Sequence, residues 1–473
     1  MNLPFTIPAQ DGVILSHGAG SGCSSAALAT RLAEFQGVLA QHDPARPIGL
    51  VGDNSPDWLL ADLAMLASGH CAVPIPPFFS AQQIRHLQAM TAMESVFLDG
   101  ALRPVAEVFP FLPAADKSTP PPVLPRGTQK ITFTSGTTGN PKGICLSREQ
   151  QLATVNSLAA VLAELNVKRH LSLLPLAVLL ENLAGIYVPL SLGAQCVVPP
   201  LAEVGLSGSS QFDAPRCLEA IGRYQAESII LLPQMLQALI RHARPSDPRL
   251  ATLKFVAVGG GVTPLATLQQ AARIGIPVFE GYGLSECAAV VSLNLPSANR
   301  PGSVGKPLPG VELRLAADHE IEVRGRGYVG LLGGDSLPDK AWISTGDLGS
   351  LDTDGFLQIV GRKKNVLITA FGRNVSPEWP EGLLMESGLL AQAMVMGDGE
   401  ATLSAVLVPL SPDCEPAHLA ALVHAVNARL PDYARIARWV ISTSPFTAVN
   451  GLATANGRLR REAIVERFSQ SCQ

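Results

Sequence analysis

A chain of 473 residues, 47% hydrophobic and 16% charged with a formal net charge of -4, has room for one large domain and a smaller one, and shows no basic excess that would favour nucleic acid. The opening MNLPFTIPAQDG lacks the basic segment and apolar run of a secretory signal, and no stretch reaches the ~20 unbroken apolar residues of a membrane span, so a cytoplasmic protein is expected. The eight cysteines form no CxxC pair, which argues against a zinc site or disulfide framework and leaves buried thiols as the expectation.

In chain order, GVILSHGAGSGCSSAALATRL (12–32) first brings a strand-like run into glycines ahead of a helix pattern. A dinucleotide fingerprint would need glycine where Cys23 stands, and no acidic residue closes a second strand about twenty residues on. Gly18, Gly20 and Gly22 are therefore expected at an ordinary helix start. Strand-like runs (IGLVG, VFLD, ITFT, SIILL, FVAVGG, PVFEG) alternate with helix-length patterns such as SAALATRLAEFQGVLAQ and SPDWLLADLAMLASG, which predicts an α/β fold of layered sheets and helices. The prolines of residues 104–130 predict a long loop.

That loop delivers the chain to ITFTSGTTGNPKG (131–143). Glycines let backbone approach an anion, the hydroxyls of Thr134, Ser135, Thr137 and Thr138 donate to its oxygens between Gly136 and Gly139, and Lys142 adds a point charge. The segment does not fit GxxxxGK[ST], so it is not the usual P-loop. Further on, FEGYGLSEC (279–287) offers the Tyr282 ring to a purine between Gly281 and Gly283, and the Glu286 carboxylate to Mg²⁺ beside phosphates. Asp347, expected just after a strand over 342–344, is placed to accept hydrogen bonds from vicinal ribose hydroxyls. Asp354-Gly355 in LDTDGFLQIVGRKK predicts a hairpin leading out of the large domain, with Arg362 and Lys364 at the exit.

ITFTSGTTGNPKG resembles the phosphate-loop signature of the adenylate-forming superfamily, which includes acyl-CoA synthetases, aryl-CoA ligases, firefly-type luciferases and nonribosomal adenylation domains. VAVGGG (256–261, with Gly259, Gly260 and Gly261) and FEGYGLSEC (with Glu280 and Ser285) are similar to its adenine-binding segments. STGDLG (344–349) is similar to its ribose-binding segment, and GRKKNVLITAFGRNVSPEWPE (361–381) to its interdomain hinge and following hairpin. The resemblance implies a large domain over residues 1–363 and a small mobile α+β domain over 364–473, hinged at Lys364. It implies a two-step reaction in which a carboxylate attacks ATP to give an acyl-adenylate and pyrophosphate, with Mg²⁺, and a thiol then takes the acyl group. That thiol belongs to CoA or to the phosphopantetheine of an acyl carrier protein, and Gly372 matches the glycine beside the thiol channel.

Residues 173–182, LLPLAVLLEN, contain no aspartate to pair with a substrate amino group, so an uncharged acyl tail is expected, and the segment is similar to the fatty acyl-CoA synthetase branch. Two positions depart from the family pattern. Val178 stands where the family usually has His. Arg458, in TANGRLRR, stands where the family has the lysine that bridges carboxylate and α-phosphate, and no lysine follows Lys364. Arg keeps the charge but is planar and longer. Two functions stay open on this sequence: a working acid–thiol ligase, or a catalytically weak relative that binds a nucleotide or acyl-adenylate and acts through partners.

Overall fold

The computed structural model describes residues 5–8, 12–18, 21–112, 122–134, 141–208, 211–338, 340–454 and 457–469. Ser135, Gly136, Thr137, Thr138 and Gly139 of the expected phosphate loop lie outside the described residues. Two large sheets form the first three quarters of the chain. In one, Val278–Tyr282, Phe255–Val258, Ser228–Leu231, Arg169–Leu171, Gln195–Val197 and Val13–His17 lie side by side in parallel, with antiparallel strands at both ends. In the other, Thr128–Thr134, Ala72–Pro74, Ile48–Leu50 and Ser95–Leu98 are parallel neighbours, and Lys142–Ser147 pairs antiparallel with Thr128–Thr134. Ser228–Leu231 is buried along its whole length, as the unbroken apolar run of a central parallel strand requires.

The helix Pro56–Ser68 lies between the sheets and touches strands of both. Ser55 caps it by accepting from the Trp58 N–H at 3.2 Å, Pro56 presets its first turn, and Gly69 ends it at φ +83°. Apolar residues cover nearly all its faces, so it buries Trp58 through Leu66. Around Gly18–Gly22 the chain makes an antiparallel pair, Val13–His17 with Ser21–Ser24, and Ser24 then caps the helix Ser25–Leu39. Gly20 of that stretch lies outside the described residues. The expected loop of 104–130 is shorter than its prolines suggest. A helical turn, Val105–Val108, occupies its start, and Thr128–Lys130 already belong to a strand.

A four-stranded antiparallel sheet follows, and Asp354-Gly355 turns its last hairpin between Ile343–Leu351 and Leu357–Arg362, with Gly355 at φ +82°. One short turn, Lys363–Asn365, leads into the smaller C-terminal body. There Leu390–Met396, Leu403–Pro409 and Ile436–Ile441 form a mixed sheet with helices Glu378–Met385, Pro416–Asn427 and Arg461–Phe468, around cores of its own. Among the described residues six cysteines are buried free thiols, Cys414 is half-buried, and no helix is long and apolar enough to cross a membrane.

Two ionisable groups inside the large domain set how it responds to substitution and pH. Asp62, fully buried on the helix between the sheets, accepts at one oxygen from Lys130 Nζ at 2.9 Å, Asn182 Nδ2 at 2.7 Å and Tyr187 Oη at 2.6 Å. Burial drives the Lys130 amine down from its ordinary value, and Asp62 holds it up. Glu280, 7% exposed, accepts the Gly302 N–H at 2.7 Å, yet desolvation pushes its carboxyl up from 4.5 to about 7.

Lys130→Met leaves a buried carboxylate facing only neutral donors, a loss of about 3–5 kcal/mol that a lowered denaturation midpoint should register. Adding Asp62→Asn should recover part of it, and a double variant no more stable than the single one would assign the loss to packing. For Glu280, the unfolded carboxyl releases its proton near 4.5 while the folded one keeps it to about 7. The contribution is therefore fully present below 4.5 and is lost as pH rises through 7. Glu280→Gln, which still accepts from Gly302, should raise the thermal midpoint relative to the native chain at pH 8 but not at pH 4.5. An equal difference at both values would contradict the assignment.

Candidate active site

The carboxyl ends of Ser228–Leu231, Phe255–Val258 and Val278–Tyr282 open together onto a cleft, the usual place for a ligand in a parallel sheet. Gly259 closes the second strand, and a Cβ on it would stand 3.3 Å from the Gly281 carbonyl. At Gly283 a Cβ would collide with the Ala289 carbonyl, so only glycine lets these two stretches of backbone pack. The chain then makes one tight turn, Ser285–Cys287, which the Tyr328 N–H steadies by donating to the Glu286 carbonyl at 2.7 Å.

Asp347 lies inside the strand Ile343–Leu351, not after a shorter one as the sequence suggested; Gly346 at φ +71° and the ladder with Leu357–Arg362 carry the strand through it. Tyr282 Oη donates to its carboxylate at 2.7 Å, and Arg362 Nε pairs with it at 2.6 Å. Desolvation raises the Asp347 carboxyl, while Arg362, the Tyr282 bond and Arg458 pull it back. Burial, and then the Asp347 charge, push the Tyr282 phenol well up.

Arg458 reaches the same cleft from the C-terminal body. Gly457 beside it packs toward Gln234 of the helix Pro233–His242, where a Cβ would stand 3.6 Å from the amide nitrogen. The guanidinium is lowered from its ordinary value by desolvation and then by Arg362, whereas the charges of Asp347 and Glu286 favour it. Lys364 is lowered by desolvation, Arg362 and Arg458, in that order among the lowering causes. Neither Arg458 nor Lys364 forms a salt bridge among the described residues. Arg458 and Lys364, each lowered by neighbouring Arg362 and neither held in a salt bridge among the described residues, make the cleft suited to an anion.

From the cleft a cavity of about 310 Å³ runs inward, with a predominantly apolar wall. Thr134, Gly259, Gly260, Gly281, Tyr282, Gly283, Ser285 and Arg458 line it, so the sequence placed these at one site. Glu286, Asp347, Arg362 and Lys364 join them through the electrostatic contacts above. Other expected residues sit elsewhere. The Glu280 side chain is turned to Gly302, Gly261 packs on Pro233, and Lys142 is exposed at the start of Lys142–Ser147. Gly372, at φ +69°, lies on the exposed turn between Leu367–Ile368 and Asn374–Val375 with open space around it. Val178 lines the cavity, so at the position where the family usually has His an apolar side chain stands, as read from the sequence.

Sequence reasoning missed His170 and Ser228, which line the same cavity. His170 Nδ1 is 2.9 Å from Ser228 Oγ, and its Nε2 is 3.3 Å from Glu181 Oε1. Their only trace in the sequence is a polar residue at the edge of each of two apolar strands, in RHLSLLPL and ESIILL.

The AMP-binding enzyme model matches residues 22–333, and the AMP-binding enzyme C-terminal domain model matches residues 364–473. The long-chain-fatty-acid–CoA ligase FadD15 of Mycobacterium bovis is 28% identical over 88% of this chain and 86% of its own length. The indoleacetate–CoA ligase of Aromatoleum aromaticum is 32% identical over 61% of this chain and 59% of its own. Among solved structures, the anthranilate CoA ligase AuaEII with anthranoyl-AMP superimposes at a TM-score of 0.79, with 18% identity, covering 98% of this chain and 95% of that one. O-succinylbenzoate coenzyme A synthetase (MenE) from Bacillus subtilis with ATP and magnesium ion gives 0.75 at 22% identity, covering 95% and 96%. The structural likeness speaks for the fold. The family model, which matches well over half of the sequence in order, decides the family: this chain belongs to the AMP-binding enzymes.

Proposed function

We propose that this enzyme is an acid–thiol ligase that joins an apolar carboxylic acid to ATP, giving acyl-AMP and pyrophosphate, and then passes the acyl group to the thiol of CoA. The observation that carries this reading is a predominantly apolar cavity ending in a cleft where Arg458, in no salt bridge among the described residues, faces the charges of Glu286 and Asp347. The tail fits the cavity, the carboxylate and nucleotide fit the cleft, and the curated relatives above are CoA ligases.

In the first step two anions must meet. Unit charges at ~3.5 Å and an effective dielectric of ~20 repel by about 5 kcal/mol, roughly three decades of rate. Arg458, held between the charges of Glu286 and Asp347, is the cation assigned to bridge the carboxylate and the α-phosphate, and Lys142 the one assigned to the leaving pyrophosphate. Asp347 accepts from the ribose hydroxyls, for which the Tyr282 and Arg362 contacts must loosen or be shared. Among the described residues no three metal-ligating side chains cluster, and the single Glu286 carboxylate fits Mg²⁺, which takes one or two protein carboxylates and completes its shell with phosphate oxygens and water. When bound it neutralises phosphate charge. For the second step the turn at Lys363–Asn365 acts as the hinge about which residues 364–473 swing, taking Arg458 out and bringing Gly372 in beside the pantetheine arm.

ATP-dependent hydroxamate formation over a panel of acids tests the reading: fatty acids should exceed amino acids, and a free amino acid as best substrate would reverse it. With acyl-AMP supplied, thioester should form with CoA, and formation only with a carrier protein would replace the assigned acceptor. Arg458→Ala should lower adenylate synthesis by orders of magnitude while sparing thioester formation from supplied acyl-AMP, and Arg458→Lys should keep or raise the first rate. Full adenylation by Arg458→Ala would mean that another cation does the bridging.

A further inference from the structure

The inner wall of the cavity holds a polar patch that a plain alkyl tail leaves unused. In the parallel register Ser228 lies beside Phe255 and Ile230 beside Ala257, so Ser228, Ile230 and Leu232 share the cavity face with Phe255, Ala257 and Gly259. Gly259 marks the cleft end, and four residues back along the strand, about 13 Å, brings the wall to the level of Ser228. Ser228 is 7% exposed and His170 2%.

Glu181 fixes what this patch offers. Its Oε1 accepts from His170 Nε2 at 3.3 Å, and its Oε2 has no hydrogen-bond partner among the described residues. A Cβ on Gly185 would stand 2.7 Å from that Oε1 and 3.0 Å from His170 Nε2, so the wide turn Glu181–Tyr187 admits the pair only with glycine there. A carboxylate can only accept, so the imidazole proton sits on Nε2. Nδ1 then accepts the Ser228 O–H at 2.9 Å, and the lone pairs of Ser228 Oγ are left facing an apolar cavity. A buried acceptor without a donor is destabilising, and a site built to bond a substrate group rejects the analogue that lacks it.

We infer that the acid activated here carries a hydrogen-bond donor, a hydroxyl or an amide N–H, roughly ten carbons from its carboxyl group, and that Ser228 Oγ receives it. Ser228 is the specificity residue; His170 and Glu181 are positioning residues acting through it. The inference rests on the proposed activation of apolar acids.

The test compares straight-chain alkanoic acids of eight, ten and twelve carbons with their terminal-hydroxy counterparts by pyrophosphate exchange. The native enzyme should favour the hydroxy acid by kcat/KM at least tenfold at the matching length and not at the others. Ser228→Ala and Glu181→Gln should bring that ratio toward one, a change that a merely structural role would not confine to one chain length. Should the variants not fold, the native length profile decides alone. Preference for the alkanoic acid at every length, or an unchanged ratio in Ser228→Ala, overturns the inference. Exchange with alkanoic acids but no hydroxy preference removes this inference alone, whereas no exchange with either series removes the apolar-acid reading and the inference with it.

Discussion

One oxygen of Asp62 holds the large domain in register. It receives three donors from two other elements: Lys130 from the strand Thr128–Thr134, and Asn182 and Tyr187 from the wide turn Glu181–Tyr187. Lys130 closes the ring by donating to Asn182 Oδ1 at 2.5 Å and lies over the Tyr187 ring. The strand leads directly to the glycine-rich segment ahead of Lys142, and the turn forms part of the cavity wall through Ala184. A buried ion pair is weak evidence of stability in itself, because desolvation offsets much of the attraction. Its value here is positional: it ties the segment assigned to phosphate to the wall assigned to the acyl tail, through a helix packed on both sheets.

The cleft depends on the opposite condition, charge left unsatisfied. Asp347 is shared by Tyr282 and Arg362, so the carboxylate assigned to the ribose is held by the protein's own groups until a ligand competes for them. Neither Arg458 nor Lys364 forms a salt bridge among the described residues; Arg362 lowers the proton affinity of both, and Arg458 lowers that of Lys364. An incoming polyanion relieves that repulsion. The favourable charge change on anion binding is thus built into the cleft by the C-terminal body, which presents Arg458 to it.

The sequence made much of this legible, for identifiable reasons. Central strands such as SIILL and FVAVGG are apolar on both faces, and glycines at Gly283 and Gly355 stand where backbone contact or positive φ excludes a side chain. Local pattern carries such features. It could not carry Asp347 into the middle of a strand, because a short apolar run is followed by Thr-Gly-Asp, which reads as a turn. Nor could it join Asp62 to Lys130, or His170 to Ser228 and Glu181. Those meetings arise from packing between elements far apart in the chain, and each residue taken singly is an ordinary polar side chain.

The proposed swing asks that the segment carrying Arg458 be tied to its own body. Arg461, three residues on, donates to both oxygens of Glu381 at 2.8 and 2.6 Å, and Glu381 Oε1 also accepts the Val395 N–H at 2.7 Å. Desolvation raises the Glu381 carboxyl, and Arg461 with the Val395 bond pulls it back. Arg461 thus ties the segment that carries Arg458 to the C-terminal sheet and to the helix Glu378–Met385. On the other side of the turn, Gly361 faces Ser376 so closely that any side chain would collide, and Ser376 Oγ donates to the Val360 carbonyl at 3.1 Å. That contact is polar and small, while the Arg461–Glu381 pair is bidentate, charged and largely buried. In the proposed rotation at Lys363–Asn365 the Arg461–Glu381 pair would keep Arg458 with the C-terminal body.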